Sequence, residues 1–277
     1  MNKFLKDDIK ISAININNSK ANLVYLSYLF KNNQITYINE HWLLGQEKYY
    51  LENLSNQHKI YLQSDMQYKP KKGRPFGGQA WAINKYIKDV NVEFINQYIS
   101  TVKCKLKNQE CCLIGVHMPY DDNGKDTVNY YVTLLDLIKA ILKEQNNKNI
   151  STIIMGDFNA DIRREKRVDK VFGQFIESNS LTIIDELMCQ ISDFTYENGC
   201  YKANIDHILL SKNNFLNVQC NILDDVCNVS DHRALEITFD IKCKEMVDKN
   251  IDRHRVKIVK KIQILNIRFK ETNLYVH

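Results

Sequence analysis

Apolar and polar positions alternate over Asp8–Asn17. There Ile9, Ile11 and Ala13 take every second place before Ile14 and Ile16 shift the phase, a pattern that predicts a strand. Lys20–Phe30 has helical spacing. Ile35–Glu40 reads as a short strand ending in a carboxylate, and Gly73–Asn84 as a turn running into a strand. Leu113–His117 is a further apolar strand. Thr127–Gln145 predicts the clearest helix, with Val128, Tyr131, Leu135, Ile138 and Leu142 on one stripe and Asp126 as its N-cap. Ser151–Met155 is a continuous apolar strand that stops at Gly156-Asp157-Phe158-Asn159. Ile205–Leu210 is another, and Leu235, Ile237, Phe239 and Ile241 alternate with Glu236, Thr238 and Asp240 in the most regular strand of the chain.

Strands interleaved with helices predict an α/β architecture. No repeat or low-complexity linker interrupts the pattern before residue 241, so one domain over 1–241 is expected. Residues 242–277 then read as a basic, irregular C-terminal tail. That tail carries a net +6 of the chain's overall +5, which leaves the body near −1. A nucleic-acid partner therefore has to be argued from local patches, not from bulk charge. The 44% apolar fraction allows a sizeable core. No apolar run reaches the ~20 residues of a membrane span, and Asp7 and Asp8 stand where a signal peptide's apolar core would begin. Eight cysteines without a C-x-x-C pair read as reduced thiols. A nuclear or cytoplasmic, non-secreted protein without membrane attachment is expected, acting as a monomer.

The chemistry collects at strand ends: Asn15, Asn17, Glu40, Asp157, Asn159, Asp206 and Asp231, with His117 and His232 beside them. Carboxylate and amide oxygens suit a hard cation such as Mg²⁺. Carboxylates, a divalent cation and a histidine together form a kit for hydrolysing a phosphodiester. Each residue also has a plainer reading. Glu40 could be solvated surface, Asn15 a satisfied strand amide, GDFN an ordinary turn and Ser230-Asp231-His232 a cap.

Order and spacing favour the first reading. GDFNA (Gly156–Ala160), IDHILLS (Ile205–Ser211) and SDHRAL (Ser230–Leu235) resemble the motifs of the endonuclease/exonuclease/phosphatase superfamily. The resemblance implies a four-layer, DNase I-like sandwich of two mixed β-sheets flanked by helices. It implies Glu40 as principal metal ligand, with Asn15 and Asp231 on the metal side, and Mg²⁺ (or Mn²⁺) as cofactor. It implies catalytic roles for Asp157 and Asn159 at the attacking water, for His232 at the phosphate and for Asp206 as the partner that sets the His232 tautomer. His117 stands where relatives carry Tyr or His. Asn39 and Asn18 replace the usual Gln and Gly.

Gly73-Arg74-Pro75-Phe76-Gly77-Gly78 and Gly115–Asp122 resemble stretches in the endonuclease domains of non-LTR (LINE-type) retrotransposons. That implies an enzyme that nicks one DNA strand and leaves a 3′-hydroxyl to prime a reverse transcriptase, the chain being a fragment of such a polyprotein, a decayed copy or a stand-alone relative. Two basic clusters fit DNA as partner through phosphate contacts: Lys69, Lys71, Lys72 and Arg74, and Arg163, Arg164, Lys166 and Arg167. Solvated charged loops are the plain alternative for both. Two other functions stay open. One is a phosphoinositide phosphatase or sphingomyelinase-like hydrolase of the same fold, although no membrane-binding apolar hairpin is present. The other is a catalytically inactive nucleic-acid-binding remnant.

Overall fold

The computed structural model describes residues 8–190, 193–211 and 215–241. The tail expected over 242–277 lies outside them. The strand predicted at the start forms as β1 (Ile9–Asn15), followed by α1 (Leu23–Asn32) and β2 (Ile35–Asn39). α1 carries the chain across so that β1 and β2 pair in parallel, as a crossover requires. A short helix α2 (Tyr49–Glu52) leads into β3 (His58–Gln63) and β4 (Gln79–Asn84). The chain then builds the meander β5 (Lys88–Phe94), β6 (Ile99–Leu106) and β7 (Gln109–His117). A second crossover follows through α3 (Lys125–Asn147) into β8 (Ser151–Asp157), again parallel to β7. Next come α4 (Arg167–Ser178), β9 (Leu181–Ile183), α5 (Ile184–Met188) and the small hairpin β10 (Tyr196–Asn198)–β11 (Tyr201–Ala203). β12 (Asp206–Ser211), β13 (Phe215–Leu223) and β14 (Ala234–Ile241) close the described chain.

Two mixed six-stranded sheets result, ordered β13-β14-β1-β2-β4-β3 and β5-β6-β7-β8-β12-β9. Each has one parallel pair at its centre and antiparallel neighbours outward. The sheets pack face to face over one core containing Ile11, Tyr37, Trp81, Leu113, Met155, Ile208 and Ile237. A second core, with Ile114, Ile154, Tyr131 and Phe172, lies between the second sheet and helices α3 and α4. A third, with Ile14, Ile38, Leu26 and Phe30, lies between the first sheet and α1. This is the expected sandwich, and it explains the phase shift in β1. Ile11 and Ala13 face the opposite sheet, while Ile14 and Ile16 face α1. Strands covered on both faces lose their alternation.

Asp126 does not cap α3. The helix begins at Lys125, which places Asp126 in the first turn, near the positive end of the helix dipole. The N-cap is Gly124, which has no side chain to cap with; Asp122 just ahead of it accepts from the Gly124 N–H at 2.8 Å and from the Thr127 hydroxyl. The described cysteines are free thiols. Among the described residues, no helix is long and apolar enough to cross a membrane.

Candidate active site

The parallel pairs decide where the chemistry gathers. Register places Asn15 beside Asn39 at the end of β1 and β2, and His117 beside Asp157 at the end of β7 and β8. Antiparallel β12 starts at the same edge, with Asp206 opposite Asp157. β14 runs antiparallel to β1, so Asp231 and His232, just before it, return to that edge as well. A cleft of about 650 Å³ opens there. Asn15, Asn17, Glu40, His117, Asp157, Asn159, Asp231 and His232 line it.

Asp157 sits at its floor, 2% exposed. One carboxylate oxygen accepts from the Asn15 side-chain amide at 3.0 Å, the other from the Asn159 backbone N–H at 2.8 Å. The Asn159 side chain donates in turn to the Met118 carbonyl at 2.8 Å. Burial pushes the Asp157 carboxyl above its usual range, and nearby Asp206 adds to this. His232, His117 and the Asn15 hydrogen bond act the other way.

His232 Nε2 lies 4.0 Å from Asp157, and its Nδ1 is 2.8 Å from Asp206. A carboxylate at Nδ1 keeps the proton on that nitrogen. Burial opposes charge on the ring, but Asp206, then Asp157 and Asp231, outweigh it and raise the pKa to about 9. Asp206 stands behind the histidine and does not line the cleft. Its own backbone N–H donates to the Thr195 hydroxyl at 3.0 Å. Tyr196 packs on the His232 ring at 4.9 Å between centroids, and the β10–β11 hairpin is clipped to this segment by the Glu197 N–H donating to the Asp231 carbonyl at 2.9 Å.

Beside Asp157, His117 Nδ1 lies 3.6 Å from Glu40 Oε1. Glu40 Oε2 accepts from the Trp42 indole N–H at 2.5 Å and from the Gly77 backbone N–H at 3.1 Å. Asn17 donates to Asp231 at 2.9 Å. Asn17, Asn18, Glu40, Trp42 and Asn159 all have positive φ, a concentration of uncommon backbone typical of functional sites. Gly156 has φ +132, and a Cβ there would meet the Val116 carbonyl oxygen at 2.1 Å, which accounts for the glycine of GDFN.

Several basic residues are placed differently from expectation. Arg74 and Arg164 line the cleft, joined by Lys166. Lys71, Lys72 and Arg163 do not. The Arg163 guanidinium is held by Glu186 at 2.9 Å, so it serves the local ion-pair network. Arg164 is anchored by Asp169 at 2.9 Å and donates to the Tyr201 hydroxyl at 2.7 Å. Residues that sequence reasoning did not single out also belong here: Trp42, Thr195, Tyr120, Phe76 and Tyr196. Asn17 was visible as a strand-end amide, and Phe76 sits inside the GRPFGG stretch. Trp42 and Thr195 act through contacts that no local pattern announces.

The donor set fits a divalent cation. The buried Asn15 Oδ1 has no hydrogen-bond partner, an acceptor left to be satisfied by something in the cleft. The expected ligands Glu40, Asn15 and Asp231 are all oxygen donors, as a hard cation requires. Among the described residues, potential ligand atoms lie within 4.8 Å of one another in two other trios, Asp185, Glu186 and His207, and Asp157, Asp206 and His232. In the second, His232 Nδ1 is already engaged by Asp206, so that trio is a hydrogen-bonded relay as it stands.

No protein-family model matches the chain, and no curated protein matches it in sequence. Solved structures do match. An AP endonuclease from Archaeoglobus fulgidus superposes with a TM-score of 0.63 at 13% identity, covering 84% of this chain and 100% of that one. The Xenopus laevis APE2 catalytic domain gives 0.65 at 15% identity over 83% and 91%. The endonuclease domain of TRAS1, a telomere-specific non-LTR retrotransposon, gives 0.59 at 14% identity over 85% and 100%. With its two mixed sheets, flanking helices and these neighbours, the chain has the DNase I-like fold of endonuclease/exonuclease/phosphatase structures.

Proposed function

We propose that the protein is a Mg²⁺-dependent phosphodiesterase that nicks one strand of DNA and leaves a 3′-hydroxyl. The observation that carries this reading is the line Asp206–His232–Asp157, whose His232 and Asp157 line the cleft together with Glu40 and His117. Asp157, buried and lifted in pKa, is a base held in one orientation by Asn15 and Asn159. It takes a proton from a water whose oxygen then attacks phosphorus. His232, kept protonated by Asp206, stands beside the phosphate as negative charge builds on it. The P–O3′ bond breaks, and His117, beside Asp157 at the end of β7, donates to the departing 3′-oxygen. A divalent cation held by Glu40, Asn15 and Asp231 supplies charge neutralisation at the phosphate.

DNA suits the walls. Arg74, Arg164 and Lys166 contact phosphates on either side of the cut. Phe76 and Tyr120, both exposed and both on the cleft, offer ring faces to bases. The TRAS1 endonuclease domain is a neighbour of matching fold, which favours a nicking endonuclease of retrotransposon type.

An end-labelled duplex oligonucleotide tests the reading. With Mg²⁺, the expected product is a shortened strand that a DNA polymerase extends without further treatment. Intact DNA, together with release of phosphate from a phosphoinositide or of phosphocholine from sphingomyelin, would replace it with the lipid-hydrolase reading. No turnover of any of these would replace it with an inactive remnant.

A further inference from the structure

We infer that Trp42 is a positioning residue that fixes the metal carboxylate Glu40 and ties it to the phosphate-contact loop. This rests on the reading of Glu40 as metal ligand. The two oxygens of Glu40 have different surroundings. Oε2 takes two hydrogen bonds, from the Trp42 indole N–H at 2.5 Å and the Gly77 N–H at 3.1 Å. Oε1 takes none and points to the His117 side of the cleft, 3.6 Å from Nδ1. Two donors on one oxygen hold the carboxylate plane and leave the other oxygen as the single free donor to a cation. Hydrogen-bonded outer partners of this kind orient a ligand and tune its affinity.

The backbone supports the same geometry. Glu40 and Trp42 have φ of +55 and +57, conformations that side chains other than glycine rarely take. Trp42 N–H donates to the Gly77 carbonyl at 3.0 Å while Gly77 N–H donates to Glu40, so the 40–42 turn and the glycine loop are clipped to each other in both directions. The outer face of the indole then carries the Arg74 guanidinium, 5.0 Å from the ring centroid. Arg74 is exposed and lines the cleft. One side chain thus holds a phosphate-binding cation on its face and the metal carboxylate on its edge. An Arg stacked on an aromatic ring is pre-oriented at little entropic cost.

These two contacts separate by substitution. Trp42→Phe keeps a face for Arg74 and removes the N–H. Arg74→Ala keeps the N–H and removes the cation. Mn²⁺ binding is read without any turnover, from the electron paramagnetic resonance signal of free Mn²⁺. Trp42→Phe is expected to weaken Mn²⁺ binding about tenfold, the usual scale for losing a hydrogen bond to a charged group. Its kcat should recover at saturating metal, and its KM for DNA should stay near the wild-type value. Arg74→Ala should do the reverse, raising KM and leaving Mn²⁺ affinity within twofold. Mn²⁺ affinity within twofold of wild type in folded Trp42→Phe would overturn the inference. Glu40→Gln separates the underlying reading from this one: unchanged Mn²⁺ binding in Glu40→Gln removes Glu40 as ligand and the inference with it. Should Trp42→Phe fail to fold, Tb³⁺ titrated into the unmutated protein serves instead. An ion on Glu40 lies beside the Trp42 indole, whereas the chain's other tryptophan, Trp81, is fully buried between the sheets. Indole-sensitised Tb³⁺ emission that Glu40→Gln abolishes is expected; its absence from a Tb³⁺-bound protein would overturn the inference.

Discussion

Replacing His207 by Phe should destabilise the protein in a way that depends on pH. His207 is fully buried, with Nδ1 at 2.7 Å from Asp185 and Nε2 at 2.9 Å from the Ala160 carbonyl. Both partners are acceptors, so both nitrogens donate and the ring is an imidazolium. Burial opposes that charge, but Asp185 and the Ala160 carbonyl overcome it and raise the pKa to about 9. Phenylalanine fits the same slot, since the imidazole already packs on Phe172 at 5.2 Å and Phe158 at 5.9 Å. What it removes is the counter-charge, and among the described residues Asp185 then keeps the Ile208 N–H and the Asn204 amide as side-chain partners. Removing one partner of a buried pair costs about 3–5 kcal/mol. The sign with pH follows from the raised pKa. His207's contribution is full below the unfolded value of about 6.5 and vanishes as pH rises through about 9. Between about pH 7 and about pH 9.5 the wild-type advantage should therefore narrow by about 2.5 kcal/mol. Urea unfolding of both proteins across that window measures it. Because His232 titrates in both, the difference isolates His207. A constant gap would mean a neutral ring, and a gap under about 1 kcal/mol would mean that the pair contributes little.

Other consequences are as direct. Gly156→Ala should lose on the order of 3 kcal/mol or more in the same unfolding assay, because φ +132 and the Val116 oxygen both exclude a Cβ. Wild-type stability there would refute the close approach. Arg74→Ala and Lys166→Ala should each flatten the salt dependence of DNA binding, with the log–log slope falling by about one for each phosphate no longer neutralised. Arg163→Ala should leave the slope unchanged, since Glu186 holds that guanidinium. Binding isotherms over a salt series check all three. Thr195→Val strands the N–H groups of Ile205 and Asp206, which lie 3.1 and 3.0 Å from its hydroxyl. It should cost about 2 kcal/mol in the unfolding assay and lower kcat with little change in KM. Unchanged kcat would separate Asp206 placement from catalysis.

Much of the site was legible because the residues that carry it end apolar strands. β8 is an unbroken buried run, so its stop at Gly156-Asp157-Phe158-Asn159 stands out, and β14 is announced by its alternation just after Ser230-Asp231-His232. The sheets were only half legible. β5 and β13 are edge strands with mixed burial, and β13 carries a bulge between Leu216 and Gln219, so neither shows a clean period. The β10–β11 hairpin has three residues per strand, too few for any pattern, yet it delivers Tyr196 to His232. α4 went unread although its signal was present: Val168, Phe172, Phe175 and Ile176 have helical spacing and are buried. Basic loops misled for a different reason. A run such as Arg163-Arg164 reports charge but not partners; Arg163 pairs with Glu186, and Arg164, at the cleft wall, pairs with Asp169. The His207–Asp185 pair, 22 residues apart in sequence, exists only once α5 packs beside β12.

The central claim is that this cleft hydrolyses a phosphodiester with a divalent cation. Supercoiled plasmid incubated with wild type, Asp157→Ala and His232→Ala, each with Mg²⁺ and with EDTA, tests it most directly. Open circles only from wild type and only with Mg²⁺, with nicking by both folded variants reduced by orders of magnitude, is the predicted result. Wild-type nicking by either variant, or nicking that persists in EDTA, would contradict the account.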